Sequence, residues 1–194
     1  YGGLYNAFDE IGVYRIVVSA EDSEGFPGRP QTIKLPLGGT PVYVEAGSVL
    51  TMPVGGLTTT VQVPAGAVTA TTTFVYTTTT NVPDTTPPDR TFAGRRFTLT
   101  AYQWSQPQPD FTFERPITIT VRYSDADVVG LDESTLALWQ RNGGAWSQDG
   151  LTIIQRITPT NELVMRAAHL TEFALFGKAV KPEHHIYLPL VLRQ

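Results

Sequence analysis

The chain has 194 residues, of which 41% are hydrophobic and 16% charged. This much apolar sequence excludes a disordered chain, and the abundant Thr, Pro and Gly favour strands joined by tight turns. The net charge is -4 with no basic patch, which gives nucleic-acid binding no electrostatic support. The absence of cysteine excludes disulfides and thiolate metal sites. No apolar run reaches the roughly 20 residues of a membrane span.

Residues 1–38 read as a hairpin. Alternating residues at 13–20 and a second run at 31–35 predict two strands around a polar turn. The pattern resembles the last two strands of immunoglobulin-like repeats in bacterial surface proteins, and is carried by Phe8, Gly12, Tyr14, Ala20, Asp22 and Gly25. Two strands do not form a stable sheet alone. The missing strands therefore lie upstream in a precursor, or the hairpin docks on the main domain, or it completes a sheet in a neighbouring subunit.

Residues 39–177 carry the signature of a β-sandwich. Turn signals recur about every 8–12 residues, the spacing that sandwiches show. Strands are predicted at 42–44, 48–52, 59–63, 71–77, 95–102, 117–123, 136–140, 151–154, 162–167 and 172–177. Residues 80–90 and 105–110 are predicted loops, and 132–134 a helical turn. The expected fold is all-β: a sandwich with a partial immunoglobulin-like hairpin before it and an extended C-terminal strand after it.

Residues 45–177 also resemble a family, the ZU-type β-sandwich domains of ankyrins and netrin receptors with their bacterial relatives. The stretches that carry the resemblance follow one another in the family's order: 56–67, 113–123, 131–139 and 169–176, with Trp146 before the last. The resemblance implies a β-sandwich. With the hairpin, it leads us to expect an extracellular or cell-surface location.

The stretch His169-Leu170-Thr171 resembles the autoproteolysis-site motif of adhesion G-protein-coupled receptors, together with Trp139, Trp146 and the following Glu172-Phe173-Ala174. The resemblance implies that His169 takes the hydroxyl proton of Thr171, whose oxygen attacks the Leu170 carbonyl carbon. Water then hydrolyses the resulting ester, and the two pieces stay paired in one sheet. The alternative is that His169 caps a strand end while Phe173, Leu175 and Phe176 fill the core.

Other candidate sites are weaker. Asp125 and Asp127 offer oxygens to calcium, with a solvated acidic turn as the alternative. Four aromatic residues could stack on sugars or simply pack: Tyr102, Trp104, Trp139 and Trp146. No Ser-His-Asp set, nucleotide loop or catalytic carboxylate pair is recognisable, so we expect no enzyme beyond self-cleavage and no cofactor beyond calcium.

Residues 178–194 form a tail with a polar spacer and an apolar strand. Seven residues are too few to span a bilayer, and such a strand left free would aggregate. It is therefore buried on this chain, added to a partner's sheet edge, or read as a sorting signal. The residues expected to pair with a partner are Ile186, Tyr187, Leu188, Leu190, Val191 and Leu192.

These patterns lead to one expected function and two alternatives. We expect an extracellular structural or adhesive β-module of a bacterial cell-surface or filament-like assembly. Its terminal strands would pair with protein neighbours, including copies of itself. The first alternative is an autoproteolytic sandwich cut between Leu170 and Thr171. The second is an accessory domain of a larger secreted hydrolase, which binds carbohydrate or assists folding.

Overall fold

A computed structural model describes residues 12–104 and 106–180. Strands account for 63% of it and helix for 4%, which confirms the all-β fold. The described strands are β1 (Gly12–Val18), β2 (Gln31–Leu37), β3 (Thr40–Val42), β4 (Ser48–Val54), β5 (Leu57–Val63), β6 (Thr72–Thr79), β7 (Thr91–Gln103), β8 (Gln106–Gln108), β9 (Thr112–Arg122), β10 (Leu131–Asn142), β11 (Ala145–Ser147), β12 (Leu151–Ile157), β13 (Glu162–His169) and β14 (Glu172–Ala179). Two short 3₁₀ turns are η1 (Asp125–Val128) and η2 (Thr158–Thr160).

Two antiparallel sheets form the sandwich. The larger has seven strands in the order β11-β10-β14-β7-β6-β3, with β8 also paired to β7. The smaller has five strands in the order β12-β13-β9-β5-β4. One hydrophobic core draws on both sheets, so their inner faces lie against each other.

Strict alternation along the strands builds this core. Ile117, Ile119 and Val121 of β9 are completely buried, while Thr118 and Thr120 between them are half-buried on the other face. Each fully buried aliphatic side chain of this size stabilises the fold by about 1.5–3 kcal/mol. In β9, the repeated apolar–polar pattern is therefore enough to explain which face is buried.

Strand β14 is buried on both faces. Phe173 and Leu175 belong to the main core, whereas Ala174 and Phe176 lie in a second cluster that contains Trp146. The indole N–H of Trp146 donates to the carbonyl of Thr85 at 2.7 Å. This bond ties the proline-rich segment before β7 over the outer face of the larger sheet. Phe176 is thus buried as expected, but outside the main core.

Two local predictions are wrong. The segment expected to be a loop at 105–110 contains β8, which pairs with β7. The helical turn expected at 132–134 is part of β10, and the actual helical turn is η1. The Asp132 carboxylate accepts hydrogen bonds from the Ser134 N–H at 3.0 Å and the Ser134 hydroxyl at 2.6 Å. Such local bonds are also made at helix N-caps, which explains the misleading pattern.

The structure describes the hairpin near the N-terminus of the chain but not the apolar segment near its C-terminus. Strands β1 and β2 pair with each other, and the sandwich strand that both approach is β6. Within the described ranges, neither joins a larger sheet. Strand β14 runs to Ala179, two residues past the expected boundary of the sandwich. Residues 1–11 and the apolar strand at 186–192 lie outside the described residues. No helix in the described part is long and apolar enough to cross a bilayer.

Candidate functional site

Residues 170 and 171 carry the chain from one sheet to the other. Strand β13 belongs to the smaller sheet and β14 to the larger, so this two-residue link crosses the end of the sandwich. The N–H of Leu170 donates to the Phe111 carbonyl at 2.9 Å, and the carbonyl of Thr171 accepts from the Leu99 N–H at 3.2 Å. The side chain of Leu170 is buried. The crossover is thus held on both sides.

The imidazole of His169 is fixed by neighbours outside the motif. Its Nδ1 lies 3.2 Å from the hydroxyl oxygen of Thr112, the first residue of β9. Its Cδ2 lies so close to Gly150 that a Cβ added there would come within 2.7 Å of it. A side chain at position 150 would displace the ring. The geometry therefore places His169 at a strand end as a positioned, half-buried group.

The Thr171 hydroxyl faces a different partner. It donates to the carbonyl of Arg141 at the end of β10. Self-cleavage requires this same hydroxyl to give its proton to His169. The structure brings the three motif residues into one crossover but directs the base and the nucleophile to separate partners. The Thr171 hydroxyl extends the pairing of β14 with β10.

We expect the peptide bond between Leu170 and Thr171 to stay intact. Intact-mass analysis under denaturing conditions should give one full-length species, both for the natural chain and for Thr171→Ala. Denaturation is needed because β14 lies between β10 and β7, which would hold a cut fragment in place. The substitution should cost about 1 kcal/mol through the lost hydrogen bond. A fragment that begins at Thr171, absent from the variant, would contradict this prediction.

The crossover forms one wall of a cleft of about 510 Å³ at this end of the sandwich. Its lining is mostly polar. The lining residues are Asp110, Thr112, Gln140, Arg141, Asn142, Gly143, Asp149, His169, Leu170 and Thr171. They come from four separate parts of the chain, which the two sheets bring together. The cleft, and not the His-Leu-Thr triplet alone, is the candidate functional site.

Gln140 is the most unusual residue of the cleft. It follows Leu136 and Leu138 in the inward-facing register of β10, and only 3% of it is exposed. Its Nε2 donates to the Asp149 carbonyl at 2.5 Å, but its buried Oε1 has no donor in the described part of the chain. An unpaired buried acceptor costs about 1–3 kcal/mol. A polar residue in a core register was the signal in the sequence, and it was missed.

The charges around the cleft fall into two groups. Arg141 is engaged by protein: its Nη1 lies 3.5 Å from Glu172, which also pairs with Arg96. The carboxylates of Asp110 and Asp149, by contrast, make no side-chain hydrogen bond to described residues. The cleft therefore offers several hydrogen-bond acceptors and one partly engaged cation.

Comparison with known proteins does not extend this picture. No protein-family model and no curated protein matches the chain. The resemblances to ZU-type sandwiches and to the receptor proteolysis motif therefore stay predictions. What the chain does is inferred from its own residues and their geometry.

The predicted calcium ligands have protein partners. Asp127 pairs with the guanidinium of Arg95 at 2.8 Å and accepts from the backbone and hydroxyl of Ser124, both at 2.7 Å. Asp125 accepts from the side-chain amide of Asn161 at 2.6 Å. Among the residues described, no group of three or more metal-binding side chains is found. Both carboxylates thus brace the turn η1.

The candidate aromatic residues separate by exposure. Tyr102 and Trp146 are buried, and Trp139 is half-buried with the Arg90 guanidinium 5.6 Å from its ring centre. Burial raises the pKa of Tyr102. Trp104, in contrast, is 90% exposed at the tip of the β7–β8 hairpin. It is therefore the member of the four that is free to stack on a ligand.

A fifth aromatic, Tyr123, is a buried hydrogen-bond donor close to η1. Burial, and then a hydrogen bond to Glu133 at 3.1 Å, raise the pKa of Tyr123 to about 12. The phenol is the donor in this bond. Its role is to hold the loop after β9 onto β10.

Proposed function

We propose that the chain is an extracellular structural or adhesive module of a bacterial cell-surface or filament-like assembly that joins its neighbours by strand addition. The observation that supports this is the β1–β2 hairpin, which pairs with neither large sheet within the described residues. A two-stranded hairpin is marginally stable by itself. The outer edge of a hairpin strand can accept a further strand through its backbone N–H and C=O groups.

The other sheet edges are poor acceptors by comparison. The larger sheet ends in β11 and β3, each three residues long. In the smaller sheet, edge strand β4 contains Pro53, and edge strand β12 has a register shift against β13. Short strands, proline and irregular register are the usual means of blocking edge-to-edge pairing. In the hairpin, β2 also contains a proline, Pro36, whereas β1 has neither a proline nor a register shift against its partner.

The strand that would be added is the apolar segment 186–192 of a neighbouring copy. It is seven residues long, the same length as β1 and β2. The side chains of Val17 and Val18 in β1 are each 51% exposed. Pairing would place apolar side chains of the added strand beside them, one on each face of the hairpin, and would remove the aggregation hazard of a free apolar strand. The experiment must distinguish this pairing between copies from the alternative, in which the segment folds back onto the hairpin of its own chain.

Size-exclusion chromatography with light scattering over a range of concentrations tests the proposal. The natural chain should form species larger than a monomer, and Leu188→Asp with Leu190→Asp, or deletion of residues 181–194, should return it to a monomer. Val129→Asp is the matched control, since Val129 is also apolar and is 80% exposed on the sandwich. Monomers in every case, or equal loss of assembly in the control, would contradict the proposal.

A further inference from the structure

The polar cleft and the β7–β8 hairpin, which carries the exposed Trp104, lie on the same edge of β7. Strand β6 pairs along one edge of β7 up to Tyr102, which lies opposite Thr73. Strand β8 therefore pairs on the other edge, the one that β14 occupies further back. The cleft opens where the chain leaves β8 and where β14 begins. Its lining includes Asp110 on the first side and Thr171 on the second.

The register of β7 gives the distance between the cleft and Trp104. The Leu99 N–H donates to Thr171, which places the cleft wall beside residue 99. Trp104 follows five residues later, directly after the end of β7, which is about 17 Å at roughly 3.3 Å per residue. Several linked sugar rings span such a distance. The cleft and the exposed ring are therefore close enough to contact one extended ligand.

Trp104 occupies a position that local structure does not favour. Gln103 pairs with Gln106, so two residues connect the strands, and Trp104 has a φ of 51°. Two-residue hairpin loops with positive φ prefer Asn or Gly, and a bulky residue there is a genuine outlier. The ring is also 90% exposed. An unfavourable backbone and a solvated indole together point to a contact with something outside the chain.

The chemistry of the cleft matches the hydroxyl groups of a sugar. The carboxylates of Asp110 and Asp149 are exposed, and no donor to them is found among the described residues. The Oε1 of Gln140, which also lines the cleft, is buried and has no donor in the same part of the chain. A ligand that carries many O–H donors satisfies such acceptors. A cation is less suited, because no group of three metal-binding side chains forms in the part of the chain that the structure describes.

We propose that this end of the sandwich binds a carbohydrate chain, with hydroxyl groups held in the cleft and one sugar ring stacked on Trp104. Stacking suits an aromatic ring because sugar faces are apolar. The site is separate from strand addition, since none of its residues belongs to β1, β2 or the segment 186–192. Failure of either proposal therefore leaves the other standing.

Affinity electrophoresis of the full chain through gels that contain xylan, hydroxyethyl cellulose, mannan or dextran provides the test, with pull-down on cellulose, chitin and peptidoglycan. At least one polysaccharide should bind. Trp104→Ala and, separately, Gln140→Leu should each weaken that binding about tenfold or more, which is a difference of about 1.4 kcal/mol. Trp104→Tyr should retain most of it, because an aromatic face remains. Circular dichroism confirms that each variant is folded.

Two controls make the result specific. Val129→Ala removes another exposed apolar side chain, and Asp84→Asn removes an exposed carboxylate outside the cleft. Neither should change the affinity. The proposal is wrong if no polysaccharide binds the natural chain, or if Trp104→Ala and Gln140→Leu bind as well as the controls do. Loss of binding in Trp104→Ala alone would overturn the role of the cleft.

Discussion

Asp127→Ala should lower the free energy of unfolding by about 3–5 kcal/mol, the usual loss when one partner of a buried ion pair is removed. Arg95 is only 5% exposed and pairs with Asp127 at 2.8 Å. Asp127 can lie this close to β7 because residue 94 is glycine, since a side chain there would overlap the Asp127 carboxylate. Without Asp127, the acceptors left to the guanidinium among the described residues are the backbone carbonyls of Arg122 and Gly94. Urea denaturation followed by circular dichroism measures the loss.

Asp125→Ala is the matched control for this prediction. Asp125 lies two residues away, is exposed, and accepts one hydrogen bond from Asn161. Its removal should cost less than about 1 kcal/mol. Replacing the pair together, Arg95→Met with Asp127→Leu, should recover much of the stability, because apolar residues of similar volume often substitute for a buried ion pair.

The same variants decide between an ion pair and a calcium site. Added calcium should leave the denaturation midpoint of the natural chain unchanged, because Arg95 and Ser124 already occupy the Asp127 carboxylate. A midpoint that rises with calcium in the natural chain but not in Asp125→Ala would show that the two carboxylates bind the metal. It would also contradict the role assigned to Arg95.

The strands were predictable because their signal is local. Alternation at 117–123 follows from the sequence alone and corresponds to β9. The order of strands in each sheet was not predictable, since it depends on pairs far apart in the chain. The pairing of Arg95 with Asp127 is an example: it joins residues 32 positions apart. A charged residue in the inward register between Ala93 and Phe97 was nevertheless a visible signal of a buried partner.

The cleft shows where sequence adjacency misleads. His169 and Thr171 were expected to meet because the stretch that contains them resembles the receptor proteolysis motif. Strand β13 ends at His169 and β14 begins at Glu172, so the chain changes sheets between them. The side chains therefore reach different elements, β9 and β10. A crossover between sheets is a tertiary feature that periodicity does not report.

Phe173→Ala should cost about 3–5 kcal/mol, the range for an aromatic side chain removed from a packed core. Phe173 is fully buried in the main core, with its ring stacked on Phe97 at 5.2 Å between centres. It lies on β14, whose neighbours β10 and β7 hold it on both sides, so the cavity cannot readily collapse. Urea denaturation followed by circular dichroism gives the change, and a loss under about 1 kcal/mol would contradict it.

Phe176→Ala is the informative comparison, because Phe176 is just as buried but faces the second cluster. Its ring meets the edge of Trp146 at 5.1 Å between centres. Removing it should alter the tryptophan fluorescence of the folded protein, whereas Phe173→Ala should leave that emission nearly unchanged. Both variants should be destabilised, since β14 is buried on two faces and supports two separate clusters. If the fluorescence changes equally in both, the clusters are not separate, and the larger sheet does not divide them.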